Sequence, residues 1–437
     1  MNNKECKVAF QTLGCKVNSY ETEAMQNKFE NAGYTIVKFN EKADVYIINT
    51  CSVTNMADRK SRQVIHRAKK LNKNAIVVAV GCYAQAAKDE LEKEEYIDII
   101  LGNNNKAQIV EIVEEYIRER EKIVKVLDIS KEKNYEDMEL LHVLEHTRAY
   151  IKVQDGCNQF CSYCIIPYTR GRVRSRGVNE TVEEIKNLVL RGYKEFVLTG
   201  IHLSSYGVDL GNIDLLGLIL KIHEIEGVER IRLGSLEPRI ITKEFANTLS
   251  KLEKICPHFH LSLQSGCDAT LKRMNRRYSC DEYYEKCEIL RDAFDNPAIT
   301  TDIIVGFPGE TDEEFEQTKA FVEKVKFFET HIFKYSRRKG TVADKLKEQV
   351  KDDDKNTRSE ILLDLNLRNS KAYMQEAIGK PVKVLIEEPV TIEGKEYYVG
   401  HTKTYLKVAV ELTEAINVND IVELVPKAFL NEGILLA

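Results

Sequence analysis

The sequence predicts an α/β chain in three parts: an N-terminal open α/β sheet domain, a central partial (β/α)6 barrel and a small C-terminal all-β domain. Three observations carry this. Short β-branched apolar runs alternate with helix-like segments through the first hundred residues, a second and longer strand–helix series starts near Ala149, and the last stretch alternates with the period of two that antiparallel strands show. At about 150 residues per domain, 437 residues leave room for two to three domains.

In the first series, VAFQTLG (Val8 to Gly14), DVYIINT (Asp44 to Thr50) and AIVVAVG (Ala75 to Gly81) read as buried parallel strands, and ETEAMQNKFENAG and RKSRQVIHRAKKLNK carry helical spacing. From Glu111 to His146 the chain is charge-dense, predicting a helix and then a solvated linker. AYIKVQ (Ala149), EFVLTG (Glu195), RIRLGS (Arg230), HFHLSL (His258), ITTDIIVGF (Ile299) and THIFKYS (Thr330) read as six barrel strands, whose working groups belong at their C-terminal ends. A helix is expected to run to Ala377 and stop at Gly379-Lys380-Pro381, after which short strands follow. The expected domains are therefore 1–125, a linker at 126–146, 147–375 and 376–437.

With 64 basic and 69 acidic residues the net charge is −5, so any contact with a polyanion must be local. No apolar run approaches the ~20 residues of a spanning helix, and Lys4, Glu5 and Lys7 interrupt any signal-peptide core. The expectation is a cytoplasmic protein with no membrane partner. Eleven cysteines is odd for a disulfide framework and high for a cytosolic protein, unless metal or chemistry employs them.

GCNQFCSYC places Cys157, Cys161 and Cys164 in C-x-x-x-C-x-x-C spacing directly after a predicted strand. Three soft thiolates on one short loop suit an iron–sulfur cube and leave one of its four irons open to a small chelating molecule. A three-cysteine zinc site completed by a distant histidine is the competing reading. Cys15, Cys51 and Cys82 each follow an apolar run by one residue, in QTLGC, YIINTC and VAVGC. On one parallel sheet their loops share an edge, so three thiols distant in sequence converge as a second trio; the bland alternative is that each is a small packing residue. Cys6, Cys256, Cys267, Cys280 and Cys287 show no such spacing and read as packing thiols.

The C-x-x-x-C-x-x-C loop opening a β/α barrel resembles the radical S-adenosylmethionine enzymes. With both trios, and with TLGCKVNSYETE (Thr12 to Glu23), GCYAQ (Gly81 to Gln85), GCNQFCSYCIIPYTRGRVRSR (Gly156 to Arg176), LQSGCDATLKRMNRRY (Leu263 to Tyr278) and DIIVGFPGET (Asp302 to Thr311), almost the whole chain is similar to the methylthiotransferase family, whose C-terminal domain is of the TRAM type. The Lys-Val-Asn after Cys15 and the Arg-rich tail after Pro167 are most similar to the group acting on threonylcarbamoyl-adenosine in tRNA. The resemblance implies a transferase that adds a methylthio group to carbon 2 of that adenine, next to the anticodon. It implies two 4Fe-4S clusters: one on Cys157, Cys161 and Cys164 that cleaves S-adenosylmethionine to a deoxyadenosyl radical, and an auxiliary one on Cys15, Cys51 and Cys82 that presents sulfur. A reducing electron donor is implied too. By the same likeness Tyr163, Gly200, Glu237 and Gln264 are candidates to contact S-adenosylmethionine. Relatives acting on isopentenyl-adenosine in tRNA or on an aspartate of a ribosomal protein are alternatives, and a non-catalytic tRNA-binding iron–sulfur protein is an alternative of another class.

RGRVRSR sets Arg170, Arg172, Arg174 and Arg176 at alternate positions, which on an extended chain makes a one-sided comb suited to the phosphates of a tRNA anticodon stem-loop. Lys272, Arg273, Arg276 and Arg277 form a second basic island. From Glu376 onward ten acids face six lysines and no arginine, which opposes RNA binding except along KEYYVGHTKTYLK, where Lys403 lies among tyrosines. Lys339 and Val342 stand where many relatives carry prolines, which loosens the turn expected there.

Overall fold

The computed structural model of the chain describes residues 6–142 and 147–437. Its first sheet is wholly parallel: β1 (Lys7–Thr12), β2 (Thr35–Val37), β3 (Val45–Thr50), β4 (Ile76–Gly81), β5 (Ile99–Leu101) and β6 (Ile123–Lys125), in the order β2-β1-β3-β4-β5-β6. Helices cover both faces, which is why β3 and β4 are buried at every position and read as unbroken apolar runs. β1, β3 and β4 lead into α1 (Lys16–Asn31), α2 (Asn55–Leu71) and α3 (Cys82–Ala86). The strands absent from the sequence reading, β2, β5 and β6, have three residues each, too few for a period to show.

The six expected barrel strands are all present: β7 (Ala149–Asp155), then, after a two-residue strand β8 (Arg174–Ser175), β9 (Glu195–Gly200), β10 (Arg230–Leu233), β11 (His258–His260), β12 (Ala298–Val305) and β13 (Glu329–Lys334). Single bridges, Ile231 to Ile255 and Leu236 to Leu261, join the sheet β10-β9-β7-β8 to the sheet β11-β12-β13. The result is one curved parallel row, β7-β9-β10-β11-β12-β13, filled by Ile151, Leu198, Leu233, Phe259 and Val305. Its C-terminal ends gather on one rim. The helix Asp352–Gln375 ends two residues before the expected Ala377.

Residues 126–142 are not the solvated linker that their charge predicts. Ile129, Met138 and Leu140 are buried. The Tyr135 hydroxyl donates to the Lys152 carbonyl (2.7 Å), and the amides of Leu140 and Leu141 donate to Glu184 (2.8 Å) and Asn27 (2.7 Å). The segment is a strap from α1 to the barrel, with apolar residues in the seam and acids outside. The rest of the expected linker, 143–146, lies outside the described residues.

The C-terminal unit is a six-stranded sheet of β14 (Val382–Ile392), β15 (Lys395–Thr402), β16 (Lys407–Glu411), β17 (Ile421–Leu424), β18 (Ala428–Asn431) and β19 (Ile434–Leu436), ordered β17-β14-β15-β16-β19-β18. It docks on the N-terminal ends of the barrel strands. Arg230, the first residue of β10, donates to the carbonyls of His401 and Lys383 (both 2.9 Å), and Arg232 donates to those of Lys403 (2.9 Å) and Thr402 (3.1 Å). The Tyr405 ring stacks on His258 (4.8 Å) and His401 (4.5 Å), with the guanidinium of Arg232 4.9 Å from its centre.

Fully buried Glu195 ties this joint together, accepting from Arg232 (2.7 Å) and Arg230 (3.4 Å). Burial alone would raise its carboxyl, yet the guanidiniums bring it down to about 2. A carboxylate with a lowered folded value stabilises fully above its ordinary value and loses that contribution as pH falls towards the folded one. Thermal unfolding scanned from pH 7 to pH 3 should therefore show stability falling below about pH 4.5, by about 2 kcal/mol from this group at pH 3; Glu195→Gln should flatten that slope while lowering stability at pH 7.

Candidate active site

The first cysteine trio lies on the loop leaving β7. Gly156 starts it in the left-handed region, at φ +70°, and a Cβ there would lie 1.8 Å from the Arg172 carbonyl oxygen, so only glycine fits. The loop is pinned from a second segment: the Ser162 amide and hydroxyl donate to the carbonyls of Met274 (3.0 Å) and Arg273 (2.8 Å). Arg276 donates to Cys161 Sγ (3.4 Å) and to the Ser262 carbonyl (3.0 Å), its guanidinium lying over Tyr278. This arginine is held by the cysteine loop and is not a free member of a phosphate-binding island. Arg273 likewise pairs with Glu314, whereas Lys272 and Arg277 are exposed.

Burial pushes the Cys157 thiol up to about 11 and the Cys164 thiol higher, so neither ionises unaided. Binding to a cationic centre supplies the missing stabilisation.

The second trio assembles where the parallel sheet predicts. Cys15 is the N-cap of α1, Cys51 follows β3 and Cys82 opens α3. Gly14, at φ +108°, permits the approach, because a Cβ there would stand 2.9 Å from both Cβ and Sγ of Cys51. Cys15 is open to a concavity crowded enough that burial raises its thiol, and burial pushes Cys51 up to about 12; each of the two feels Cys82 and the other's neighbourhood electrostatically. Of the remaining cysteines, Cys6, Cys256, Cys267 and Cys287 are buried, as packing thiols would be.

Zinc holds its ligands about 2.3 Å away, which brings tetrahedral sulfurs within about 4 Å of one another. Among the described residues the one group of three ligand atoms within 4.8 Å of one another is His260, Asp302 and His331. Neither cysteine trio is among the groups drawn in that tightly. Both sets are soft and all-sulfur, the ligand type that iron–sulfur clusters take.

The arginine comb is overturned. Arg170, Arg174 and Arg176 are buried and ion-paired, and only Arg172 is exposed, with its guanidinium 4.6 Å from the Phe160 ring. Arg170 ends the short helix Ile166–Arg170 instead of continuing a strand. It donates to Glu21 (2.8 Å), Asp155 (3.2 Å), Asn18 (2.7 Å) and, through Nε, to Cys82 Sγ (3.3 Å). Lys106 and Lys152 also reach Glu21, Lys152 and Arg174 also reach Asp155, and Arg176 pairs with Asp137 (2.8 Å) and Glu184. Against the two carboxylates Glu21 and Asp155 stand four cations, Lys106, Lys152, Arg170 and Arg174. Of these, Arg170 lies against Cys82 with its charge held by Glu21 and Asp155, which suits an anionic sulfur site. Asn103 adds a donor to Cys82 (3.5 Å). Lys403 is not a free cation either: its ammonium is taken by the Glu253 carbonyl and its own carbonyl by Arg232.

A cavity of about 250 Å³ lies beside the first trio, lined by Val53 and Thr54 from the first domain, Tyr163 and Cys164 from the loop, and Gln264, Asp302, Phe333 and Tyr335 from the barrel rim; Cys164 is the one cysteine in its lining. Gln264 sits at φ +76°, held there by bonds to the backbone of Asp302 (2.8 Å) and Ile304 (2.9 Å). Tyr163 and Gln264 thus share a wall with Cys164. Gly200, the last residue of β9, and Glu237, beyond β10, lie on the rim but outside this cavity; Glu237 is bound by Arg239 (2.7 Å). Asp302, Glu21 and Asp155 carry no role in the sequence reading, and Arg276 carries a different one, as a member of the second basic island. Asp302 and Glu21 do lie inside quoted motifs, which was the available signal.

Known proteins match along this same division. Residues 7–102 match the uncharacterized protein family UPF0004, and residues 151–322 match the radical SAM superfamily. A protein named threonylcarbamoyladenosine tRNA methylthiotransferase MtaB is 41% identical in Bacillus subtilis (strain 168), over 93% of this chain and 91% of the relative; its namesake in Aquifex aeolicus (strain VF5) is 43% identical over 90% and 95%. A tRNA-2-methylthio-N(6)-dimethylallyladenosine synthase of Thermoanaerobacter sp. (strain X514) is 38% identical over 86% and 81%. Among solved structures, the radical S-adenosylmethionine methyltransferase TsrM from Kitasatospora setae shares the fold at TM-score 0.55 and 15% identity, covering 77% of this chain and 76% of its own. The chain is a radical S-adenosylmethionine enzyme. Within that class it belongs to the methylthiotransferase family, which brings S-adenosylmethionine and a 4Fe-4S cluster as cofactors. Among the described residues no helix is long and apolar enough to cross a membrane.

Proposed function

We propose that this chain is a tRNA methylthiotransferase that installs a methylthio group at carbon 2 of N6-threonylcarbamoyladenosine beside the anticodon, with two 4Fe-4S clusters, S-adenosylmethionine and a reducing electron donor. The observation that carries the reading is the link between the two cysteine trios: Arg170 is bonded at once to Cys82 of one and to Asp155 at the foot of the other's loop, and the cavity that Cys164 lines is also lined by Val53 and Thr54, just after Cys51. Cys157, Cys161 and Cys164 would hold the cluster whose chemistry is reductive cleavage of S-adenosylmethionine, and Cys15, Cys51 and Cys82 the one that supplies sulfur. The protein's own part is positional. Arg276 and Arg170 donate to cysteine sulfurs, Tyr163 and Gln264 line the cavity with Cys164, and Phe333 and Val53 add apolar surface to its wall. We read residues 1–125, 147–375 and 376–437 as three domains, the last of TRAM type, and a tRNA substrate sets the work in the cytoplasm.

Lys16 favours the threonylcarbamoyl substrate over the isopentenyl one. It follows Cys15 directly, its ammonium is held down by burial and reached electrostatically by Tyr405 first and then by Arg148, Arg232 and Asp302, and among the described residues it forms no ion pair. A threonyl carboxylate would give it a counter-charge, which an isopentenyl group lacks. The test is nucleoside analysis of tRNA from cells lacking the protein. The 2-methylthio form of threonylcarbamoyladenosine should vanish while its unthiolated precursor accumulates. An unchanged profile refutes the reading, and loss of the isopentenyl product instead transfers it to the other substrate.

A further inference from the structure

Burial of the arginine comb leaves open where a polyanionic substrate would be held. The basic–aromatic stretch of the C-terminal domain does not answer it, since Tyr405, His401 and Lys403 are engaged with the N-terminal ends of the barrel strands, away from the cysteine rim. The helix beside the cavity does. α2 carries Arg59, Lys60, Arg62, Arg67, Lys69 and Lys70 against a single acid, Asp58, in a chain whose net charge is −5.

The charges are sorted by face. Met56, Arg59, Lys60, Gln63, Arg67 and Lys70 are the exposed positions beyond the first residue, recurring at helical spacing as one stripe that Lys73 extends, while Ser61, Ile65 and Ala68 are buried opposite. Asp58 is removed from the stripe by Arg338 (2.7 Å), and Lys69 is neutralised by Asp98 (2.8 Å). Among the described residues Arg59, Lys60, Lys70 and Lys73 have no ion pair, and Arg67 meets only neutral groups, the Asn40 side chain (2.6 Å) and the Phe39 ring (6.0 Å). A solvated helix face ordinarily interleaves both signs, because like charges three or four residues apart repel. This one does not.

The stripe also points to the reaction. Its N-terminal end is the cavity mouth: Thr54, the N-cap of α2, lines the cavity with Val53, and the Asn55 amide is fixed to Ser336 on the barrel rim (3.0 Å). There Val53, Met56 and Phe333 are 52%, 68% and 48% exposed, offering apolar surface to a splayed base. From Arg59 to Lys70 the stripe spans about 16 Å, enough for several successive phosphates.

We propose that the solvent face of α2, through Arg59, Lys60, Arg67 and Lys70, grips the tRNA backbone and leads the anticodon loop into the cavity; this rests on the tRNA reading above. The test is binding of the cluster-loaded enzyme to a tRNA carrying threonylcarbamoyladenosine, followed by fluorescence anisotropy between 50 and 200 mM KCl. The variant replaces all four residues with glutamine. Each phosphate contact contributes roughly 0.7 to 0.9 to the slope of log K against log salt, so the variant's slope should fall by about 3 and its low-salt affinity by at least about tenfold. Cleavage of S-adenosylmethionine without tRNA and the melting temperature should stay at wild-type values. An unchanged slope in a wild-type protein that binds tRNA overturns this surface alone. So does an equal loss when Lys380, Lys395, Lys407 and Lys427 are neutralised instead. A wild-type enzyme that fails to bind tRNA at any salt concentration refutes the substrate reading itself.

Discussion

Cys161→Ser should abolish release of deoxyadenosine from S-adenosylmethionine by the reduced, anaerobically purified enzyme, whereas Cys51→Ser should leave that release intact and stop methylthio insertion. The two substitutions are chemically identical, and only their place in the fold separates them. Cys161 sits on the loop leaving β7, with Arg276 bonded to its sulfur at 3.4 Å. Cys51 sits at the end of β3, packed against Gly14 in the other domain. Serine is a poor ligand for a soft metal site, so each variant should also lose roughly half its iron, about four atoms of eight. Iron content and deoxyadenosine yield, measured on one preparation, decide the matter: equal effects of the two serines on cleavage would mean that the trios do not divide the chemistry as proposed. Val53, two residues after Cys51, provides a control. Val53→Ala trims the cavity wall without touching a sulfur and should preserve both clusters' iron.

The contrast between what the sequence disclosed and what it hid follows from the range of the forces involved. β1, β3 and β4 were legible because burial on both faces writes itself into consecutive residues, and Cys15, Cys51 and Cys82 were legible because parallel strands bring their C-terminal ends to one edge whatever the intervening loops contain. Arg170, Arg174 and Arg176 were misread because alternation says only that side chains share a side. It does not say whether that side meets water. The acids that claim them, Glu21, Asp137, Asp155 and Glu184, are all at least eight residues distant and sit on other segments, so no local pattern records the pairing. The same holds for the strap at 126–142. Its apolar residues are sparse, and their seam exists only once α1 and the barrel have met.

Arg170→Met should be among the most damaging single changes in the protein, lowering stability by about 3 to 5 kcal/mol. Methionine fills much of the volume and removes the charge, so the loss is electrostatic. Glu21 would keep Lys106 and Lys152, and Asp155 would keep Lys152 and Arg174, but Asn18 and Cys82 would each lose a donor. Arg170 is also bonded to groups of both cysteine-bearing regions, as Lys152 is through Glu21 and Asp155, so its removal weakens the joint between them as well as the network. Thermal unfolding should show a lower midpoint, and the trio holding Cys82 should lose iron before the trio on the β7 loop. Arg170→Lys keeps the charge but not the planar fork that reaches four partners, and should recover only part of the loss. The pairing with Glu21 makes a sharper demand. If buried charge balance sets the cost, Glu21→Gln combined with Arg170→Met should be less destabilising than the two single changes added together. If instead Arg170 served phosphates at the surface, neither variant would unfold early, the pair would add simply, and tRNA affinity alone would move.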